Sequence, residues 1–361
     1  MSQPTAGDRR ALVVGSTGIA GQALCHELVE HGWQVTGVSR RSPVEIAGVT
    51  PVLVDVTDPA AIARELGDEA PTAVFFAVWM RMSSEAENIR VNGGIVRDVL
   101  AQVAPTGGLR HVSLMTGLKH YLGPFEAYAQ GESRETPFHE YEPRLDLPNF
   151  YYAQEDEMWA SAEQHGFSWS VHRSHTVVGF AVGNAMNMGM TLSVQAALCK
   201  ELGKPFIFPG NEIQWNGLTD MTDADLLARQ MVWTAEAEGL PSQAYNTANG
   251  DVFRWKWMWP RIAELLGVEP EGYDTRPRPL EEQMVGMEGA WAELADREGL
   301  VETDLSRVAS WWHTDADLNR PLECFTDMAN SRRHGFMDAS VTLDSFGALF
   351  DRLRRERVIP A

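Results

Sequence analysis

The sequence predicts an α/β protein: a doubly wound parallel sheet followed by a smaller, mainly helical C-terminal lobe. Three observations carry this prediction. Short apolar runs alternate with stretches of helical periodicity over residues 11–116. A glycine-rich turn joins the first run to the first helix. Beyond residue 179 the pattern turns helical and rich in Met and Trp.

The elements follow in order. Residues 11–15 read Ala-Leu-Val-Val-Gly, a short apolar run ended by glycine, which predicts a buried strand. From Gly18, the positions Ala20, Leu24 and Leu28 recur at helical spacing until His31-Gly32, a good helix stop. Residues 34–38 read as a second strand and 49–56 as a third. Asp58-Pro59 opens a helix through Leu66, with proline in its first turn. Residues 72–78 give a fourth strand, 84–103 a long helix and 109–116 a fifth strand. This alternation implies βαβ units, whose right-handed crossovers place helices on both faces of a parallel sheet. Residues 117–148 are rich in Gly, Pro, Tyr and Glu and show no period. A long irregular segment at a strand's carboxyl end marks a functional loop. A helix over 152–165 and a strand over 169–173 come next. We therefore expect a binding domain over 1–178, with 243–248 as a possible returning strand, and a substrate-binding lid lobe over 179–361.

Composition narrows the function classes. The chain has 361 residues, 44% of them apolar, and a net charge of −20. Such acidity disfavours nucleic acid and anionic membrane surfaces as partners. Cys25, Cys199 and Cys324 are isolated in sequence, which argues against a disulfide framework or a zinc site and fits a reducing cytosol. The N-terminal residues are polar and unlike a signal peptide. The longest apolar run, 73–80, falls short of the ~20 residues a bilayer span needs. These features predict a cytoplasmic protein.

The turn Gly15-Ser16-Thr17-Gly18-Ile19-Ala20-Gly21 carries the spacing Gly-x-x-Gly-x-x-Gly between a strand and a helix. One glycine permits the tight turn, one lets the backbone approach a pyrophosphate, and one lets the helix pack close to the sheet. In this context the turn predicts a dinucleotide site of the Rossmann type, with Gly15, Ser16, Thr17, Gly18 and Ile19 around the phosphates. No Gly-Lys-Ser/Thr follows, so it is not a P-loop. After the second strand stand Ser39-Arg40-Arg41, where an NAD site would usually place an acid for the ribose 2′-hydroxyl. A hydroxyl and two guanidiniums suit a 2′-phosphate, so NADPH is the expected cofactor. Asp55 and Val56 are placed to meet the adenine ring. Ala77, Val78, Met115 and Val178, in or beside neighbouring strands, complete the expected cofactor contacts.

The fifth strand runs into Thr116-Gly-Leu-Lys-His-Tyr-Leu-Gly-Pro-Phe125, and Asn149-Phe-Tyr-Tyr152 lies downstream. Ligands of open α/β sheets bind outside the carboxyl ends of strands, which puts Lys119 in the right region. A lysine near a tyrosine hydroxyl favours the phenolate and lowers its pKa from about 10. Tyr151-Tyr152 could equally be a packed aromatic pair at a helix start, and spacing alone does not choose. His172 and His175 have His-x-x-His spacing, but strand alternation points them to opposite faces, so no metal site is expected.

The glycine turn resembles that of the extended short-chain dehydrogenase/reductase superfamily, yet the usual Tyr-x-x-x-Lys is absent, because Glu155 sits four residues after Tyr151. The segments just quoted, with Trp169-Ser-Val-His-Arg173, Asn249-Gly-Asp-Val-Phe-Arg-Trp-Lys256, Cys324-Phe325 and His334-Gly-Phe336, resemble the progesterone 5β-reductase/iridoid synthase-like enone reductases over nearly the whole chain. That resemblance implies Tyr151 as the catalytic tyrosine and Lys119 as its partner. It implies NADPH-dependent reduction of the C=C bond of small apolar enones and enals, in a pocket walled by Trp79 and Phe125. Similar enzymes are often homodimers. Two departures stand out: Ser174-His175-Thr176 replace the family's Pro-Gly-Asn, and His313 replaces a Phe after a Trp-Trp pair, adding a polar substrate contact or only a rim residue. Two alternatives stay open at this point: a carbonyl (C=O) reductase on the same fold, and a non-catalytic NADP(H)-binding redox sensor.

Overall fold

The computed structural model describes residues 9–124, 134–184 and 186–361. In chain order its elements are β1 (Arg10–Val14), α1 (Ile19–Glu30), β2 (Gln34–Ser39), β3 (Val49–Leu53), α2 (Pro59–Leu66), β4 (Ala73–Phe76), α3 (Glu85–Val103), β5 (His111–Gly117), α4 (Lys119–Leu122), α5 (Phe150–His165), β6 (Ser168–Ser174), β7 (Val177–Val178), α6 (Met188–Leu202), β8 (Phe206–Ile207), α7 (Glu212–Asn216), β9 (Thr222–Asp223), α8 (Ala224–Glu236), β10 (Gln243–Thr247) and α9 (Trp255–Leu266), followed by a two-residue strand and short helices that end in a helix over Thr342–Arg355.

The chain divides into two compact units. The first comprises residues 1–174, 225–247 and 327–338. Its seven-stranded sheet has the order β10-β6-β5-β4-β1-β2-β3, and every pairing is parallel. β1, β4 and β5 are buried nearly throughout, as strands covered on both faces are, with the polar His111, Ser113 and Thr116 of β5 buried too. The order reverses direction between β1 and β4, the switch point at which such sheets bind ligands. α3 lies against α5, where a Cβ on Gly93 would sit 3.3 Å from the Ala153 methyl. The edge strand β10 returns from late in the chain, pairing Tyr245 with His172.

A polar seam runs under β5, β6 and β10. His111 bonds Ser168 and Ser170, each at 2.9 Å, and His172 bonds Gln230 at 2.7 Å. Burial pushes His111 down to about 3 and His172 to about 4, so both rings stay neutral at pH 7. His172 is therefore part of a sheet-to-helix hydrogen-bond network.

The second unit comprises residues 175–224, 248–326 and 339–361. Its core gathers Trp255, Trp259 and Trp291, each at most 1% exposed, around α6 and α9. The Met- and Trp-rich stretch is thus mostly core, as ordinary packing predicts. Trp233 belongs instead to the first unit, set edge-on to Tyr245. Among the described residues, no helix is long and apolar enough to cross a membrane.

Candidate active site

Gly15 turns the chain after β1 with φ of 94°, a conformation that costs glycine little. A Cβ there would lie 2.6 Å from the Ala77 carbonyl oxygen, and one on Gly21 would strike the Gly15 carbonyl. The N–H groups of Gly15 and Ser16 both donate to the Val38 carbonyl at 3.0 Å, tying the turn to β2. Ser16 is fully buried and its hydroxyl donates to the same carbonyl at 3.1 Å, so its side chain braces the turn from within. Thr17 and Gly18 are more accessible, and α1 starts at Ile19 with no capping side chain. The first N–H groups of a helix lack intrahelical acceptors, and the dipole there is positive. This bare, glycine-walled helix start fits a dinucleotide pyrophosphate.

At the end of β2, Ser39 is buried and its hydroxyl donates to the Ser42 carbonyl at 2.6 Å. Arg40 and Arg41 are exposed. Hydrogen bonds from the Thr57 hydroxyl and N–H, aided by Arg40 and Arg41, hold Asp55 below the usual carboxylate value. The two guanidiniums and Asp55 therefore share one neighbourhood. Val56 is buried, and Ala77, Val78 and Met115 are half-buried at the strand ends. Val178 is 1% exposed in the core of the second unit, where β7 pairs it with Asp223.

The catalytic candidates converge at the start of α5. Asn149 caps this helix, its Oδ1 accepting from the Tyr151 N–H at 3.0 Å. Lys119, 8% exposed in the single turn α4, has its Nζ 5.8 Å from the centre of the Phe150 ring. The Tyr151 ring lies 4.3 Å from that same ring, and Trp79 stacks on it at 5.2 Å. The Tyr151 hydroxyl rests against the carboxyl end of β5, where a Cβ on Gly117 would sit 3.3 Å from it. The adjacent tyrosine is differently employed. The Tyr152 hydroxyl donates to the His120 carbonyl at 2.7 Å and accepts from the Leu145 N–H at 3.0 Å. Geometry thus separates two residues that spacing could not.

Burial, and after it the Glu85 carboxylate, push the Tyr151 hydroxyl above the ordinary phenol value. The net direction is opposite to that expected from a lysine partner. At neutral pH the group is a phenol, and hence a hydrogen-bond donor.

Glu85 and Asn92 escaped the sequence reading, and the role of Glu155 was not visible in it. Glu85 accepts the Phe150 N–H at 2.8 Å, so the first turn of α3 helps hold the first turn of α5. The fully buried Asn92 grips Met80 by both its N–H (2.7 Å) and its carbonyl (2.9 Å), fixing the loop that carries Trp79. Glu155, at the position of the wider superfamily's lysine, is 1% exposed and pairs with Arg144 at 2.7 Å. Burial raises its pKa, against the lowering pull of Arg173 and Arg144. Capping and local ion pairs carry only weak spacing signals, and the partner of a buried charge carries none. Phe125 lies outside the described residues.

Residues 64–360 match the model of the PRISE-like Rossmann-fold domain. The chain belongs to that family. Among PRISE-like relatives, an (S)-8-oxocitronellyl enol synthase of Camptotheca acuminata is 36% identical over 97% of this chain and 93% of its own length. A 3-oxo-Δ(4,5)-steroid 5β-reductase of Arabidopsis thaliana shows the same identity and coverage. The fold is also that of epimerases of known structure. One, from Methanothermobacter thermautotrophicus, superposes with a TM-score of 0.68 at 16% identity over 96% of this chain and 93% of that one. The UDP-glucose 4-epimerase of Thermus thermophilus, solved with NAD, gives 0.66 at 16% identity over 96% and 99%.

In this PRISE-like chain the departures of the second unit are connected. His175 Nδ1 lies 2.7 Å from Asp220 Oδ1, and its Nε2 meets the Arg320 guanidinium. Arg320 also pairs with Asp317, which accepts from the Thr176 hydroxyl at 2.8 Å. Burial alone would raise Asp317, but Arg320, His313, Thr176 and His175 together hold it below the usual carboxylate value. His175, Thr176 and His313 therefore all feed one buried charge network.

Proposed function

We propose that this PRISE-like oxidoreductase uses NADPH to reduce the C=C bond of small, apolar α,β-unsaturated carbonyl compounds. The family membership and the printed activities of the relatives support the reaction class. Arg40 and Arg41, with no acid beside them after β2, support the phosphorylated cofactor. The observation that carries the reading is the placement of Tyr151, its hydroxyl against Gly117 and its ring beside the one that Lys119 approaches.

When bound, the reduced nicotinamide supplies hydride for the β-carbon of the substrate. Charge then builds on the carbonyl oxygen as an enolate. Tyr151 donates its hydroxyl hydrogen bond to that oxygen, and burial with Glu85 keeps it a donor. The Lys119 ammonium adds positive potential beside the developing charge. The α-carbon takes its proton from solvent.

Gly15, Thr17, Gly18 and Ile19 serve the pyrophosphate, with Ser16 bracing them. Ser39, Arg40 and Arg41 serve the 2′-phosphate, Asp55 and Val56 the adenine, and Ala77, Val78, Met115 and Val178 the rest of the cofactor. On the family resemblance, Trp79 and Phe125 are assigned as walls of the substrate pocket and His313 as a substrate residue at its rim. The cofactor site, the catalytic pair and the walls Trp79 and Phe125 are assigned to residues 1–178, and the rest of the substrate-binding share to 179–361. The proposal includes a cytoplasmic homodimer.

The test is NADPH oxidation across small cyclic enones, linear enals and steroid enones, with Tyr151→Phe alongside. Losing one preorganised donor is expected to cost about 10²–10³ in kcat. Wild-type turnover by Tyr151→Phe would overturn the assignment.

A further inference from the structure

We infer that Asn149 is a positioning residue that clasps the two halves of the catalytic pair. The inference rests on the reading of Tyr151 and Lys119 just given. Asn149 is 3% exposed and uses both ends of its amide. Its Oδ1 accepts from the Tyr151 N–H at 3.0 Å, while its Nδ2 donates to the Lys119 carbonyl at 2.7 Å. One short side chain therefore bridges α4 and α5, thirty residues apart in sequence.

An ordinary cap needs only the first of these bonds, and Ser or Asp makes it as well as Asn. The second bond has no part in capping α5. It holds the one-turn helix that carries Lys119, which is too short to be stable by itself. Glu85 adds a second hold on α5 through the Phe150 N–H, but it does not reach across to α4 by any bond that Asn149 makes. Asn149 thus links the backbone of Tyr151 directly to that of Lys119, beside the bond that the Tyr152 hydroxyl makes from α5 to the His120 carbonyl of the same turn.

The consequence separates capping from clasping. Asn149→Ser and Asn149→Asp both keep an acceptor for the Tyr151 N–H. Neither retains the amide donor that Asn149 offers to the Lys119 carbonyl, and the carboxylate of Asp would face that carbonyl unfavourably. Both variants are expected to fold, each with a lowered melting temperature because the buried Lys119 carbonyl loses its amide donor, and Asn149→Asp the lower of the two because its buried carboxylate faces that carbonyl. Both should lose about 10- to 100-fold in kcat, with KM changed less than about threefold, since misplacing a catalytic group by about 1 Å costs up to ~10²-fold.

Amide hydrogen exchange supplies a readout independent of turnover. Peptides covering residues 118–123 should exchange faster in both variants, while those covering 150–153 stay protected. Unchanged exchange over 118–123 with wild-type kcat in both variants overturns the inference, provided Tyr151→Phe loses activity in the same assay. If Tyr151→Phe stays active instead, the assignment of the catalytic pair fails, and the inference fails with it. Faster exchange over 118–123 beside wild-type kcat would show a clasp without a catalytic role, and also overturns it.

Discussion

Gly117→Ala tests the geometry of the site with the smallest possible perturbation. Gly117 ends β5, and its α-carbon faces both the Ser174 carbonyl and the Tyr151 hydroxyl. A methyl group built there lies 3.0 Å from Ser174 O, 3.3 Å from the Tyr151 oxygen and 3.7 Å from its Cε2. The first two approaches are tighter than ordinary contact, so the neighbours must give by a few tenths of an ångström. The Ser174 carbonyl belongs to β6, paired in register with β5, and yields little. The Tyr151 side chain is the softer partner and should move. A full 1 Å displacement would cost up to ~10²-fold, so a shift of this size should lower kcat roughly 3- to 30-fold. The added methyl should cost about 1–3 kcal/mol as overpacking, partly offset by about 0.5–1 kcal/mol from the lower freedom of alanine in the unfolded chain. The assay pairs steady-state enone reduction with urea denaturation. A variant with wild-type kcat would refute the claim that the hydroxyl works from its seat on Gly117.

Three further outcomes follow from the same contacts. Burial is the larger cause of the raised Tyr151 pKa, and Glu85→Gln, which keeps an acceptor for the Phe150 N–H, removes only the smaller contribution of the Glu85 charge, so the tyrosine should ionise at somewhat lower pH and the alkaline loss of activity should move down with it; an unmoved profile in ultraviolet titration against Tyr151→Phe would sink that assignment. Arg144→Met strands the buried Glu155 carboxylate and should destabilise by about 2 kcal/mol, less than a fully buried pair because the Arg144 side chain is 29% exposed; an unchanged urea midpoint would contradict it. Arg40→Ala combined with Arg41→Ala should raise KM for NADPH at least about tenfold while leaving KM for NADH within about twofold, and equal effects on the two cofactors would count against a 2′-phosphate role.

Much of the architecture is legible in the sequence because it rests on local rules. Apolar runs set most strands of the sheet within about two residues, although the third is expected to run to 56 and β3 ends at Leu53, and Asp58-Pro59 and the Gly15 turn set helix starts. Tyr151 and Lys119 could be named only through family resemblance, since a tyrosine pair at a helix start reads equally well as packing. What separates Tyr151 from Tyr152 is long-range: the His120 carbonyl and the Leu145 N–H occupy one hydroxyl, and Gly117 seats the other. The direction of the Tyr151 shift was likewise hidden. A lysine is visible in the sequence, whereas burial and the approach of Glu85 from α3 exist only in the fold. Ser16 shows the same limit, since its place in the motif suggests a phosphate contact while its hydroxyl turns inward to Val38.

The central claim is that hydride reaches the β-carbon and Tyr151 receives the enolate charge. The most direct measurement is the product formed from a small cyclic enone and NADPH by the wild-type protein, identified by gas chromatography with mass detection. The account predicts the saturated ketone, lost in step with turnover when Tyr151 becomes Phe. The allylic alcohol as the main product would contradict it and make Tyr151 the acid of a carbonyl reduction.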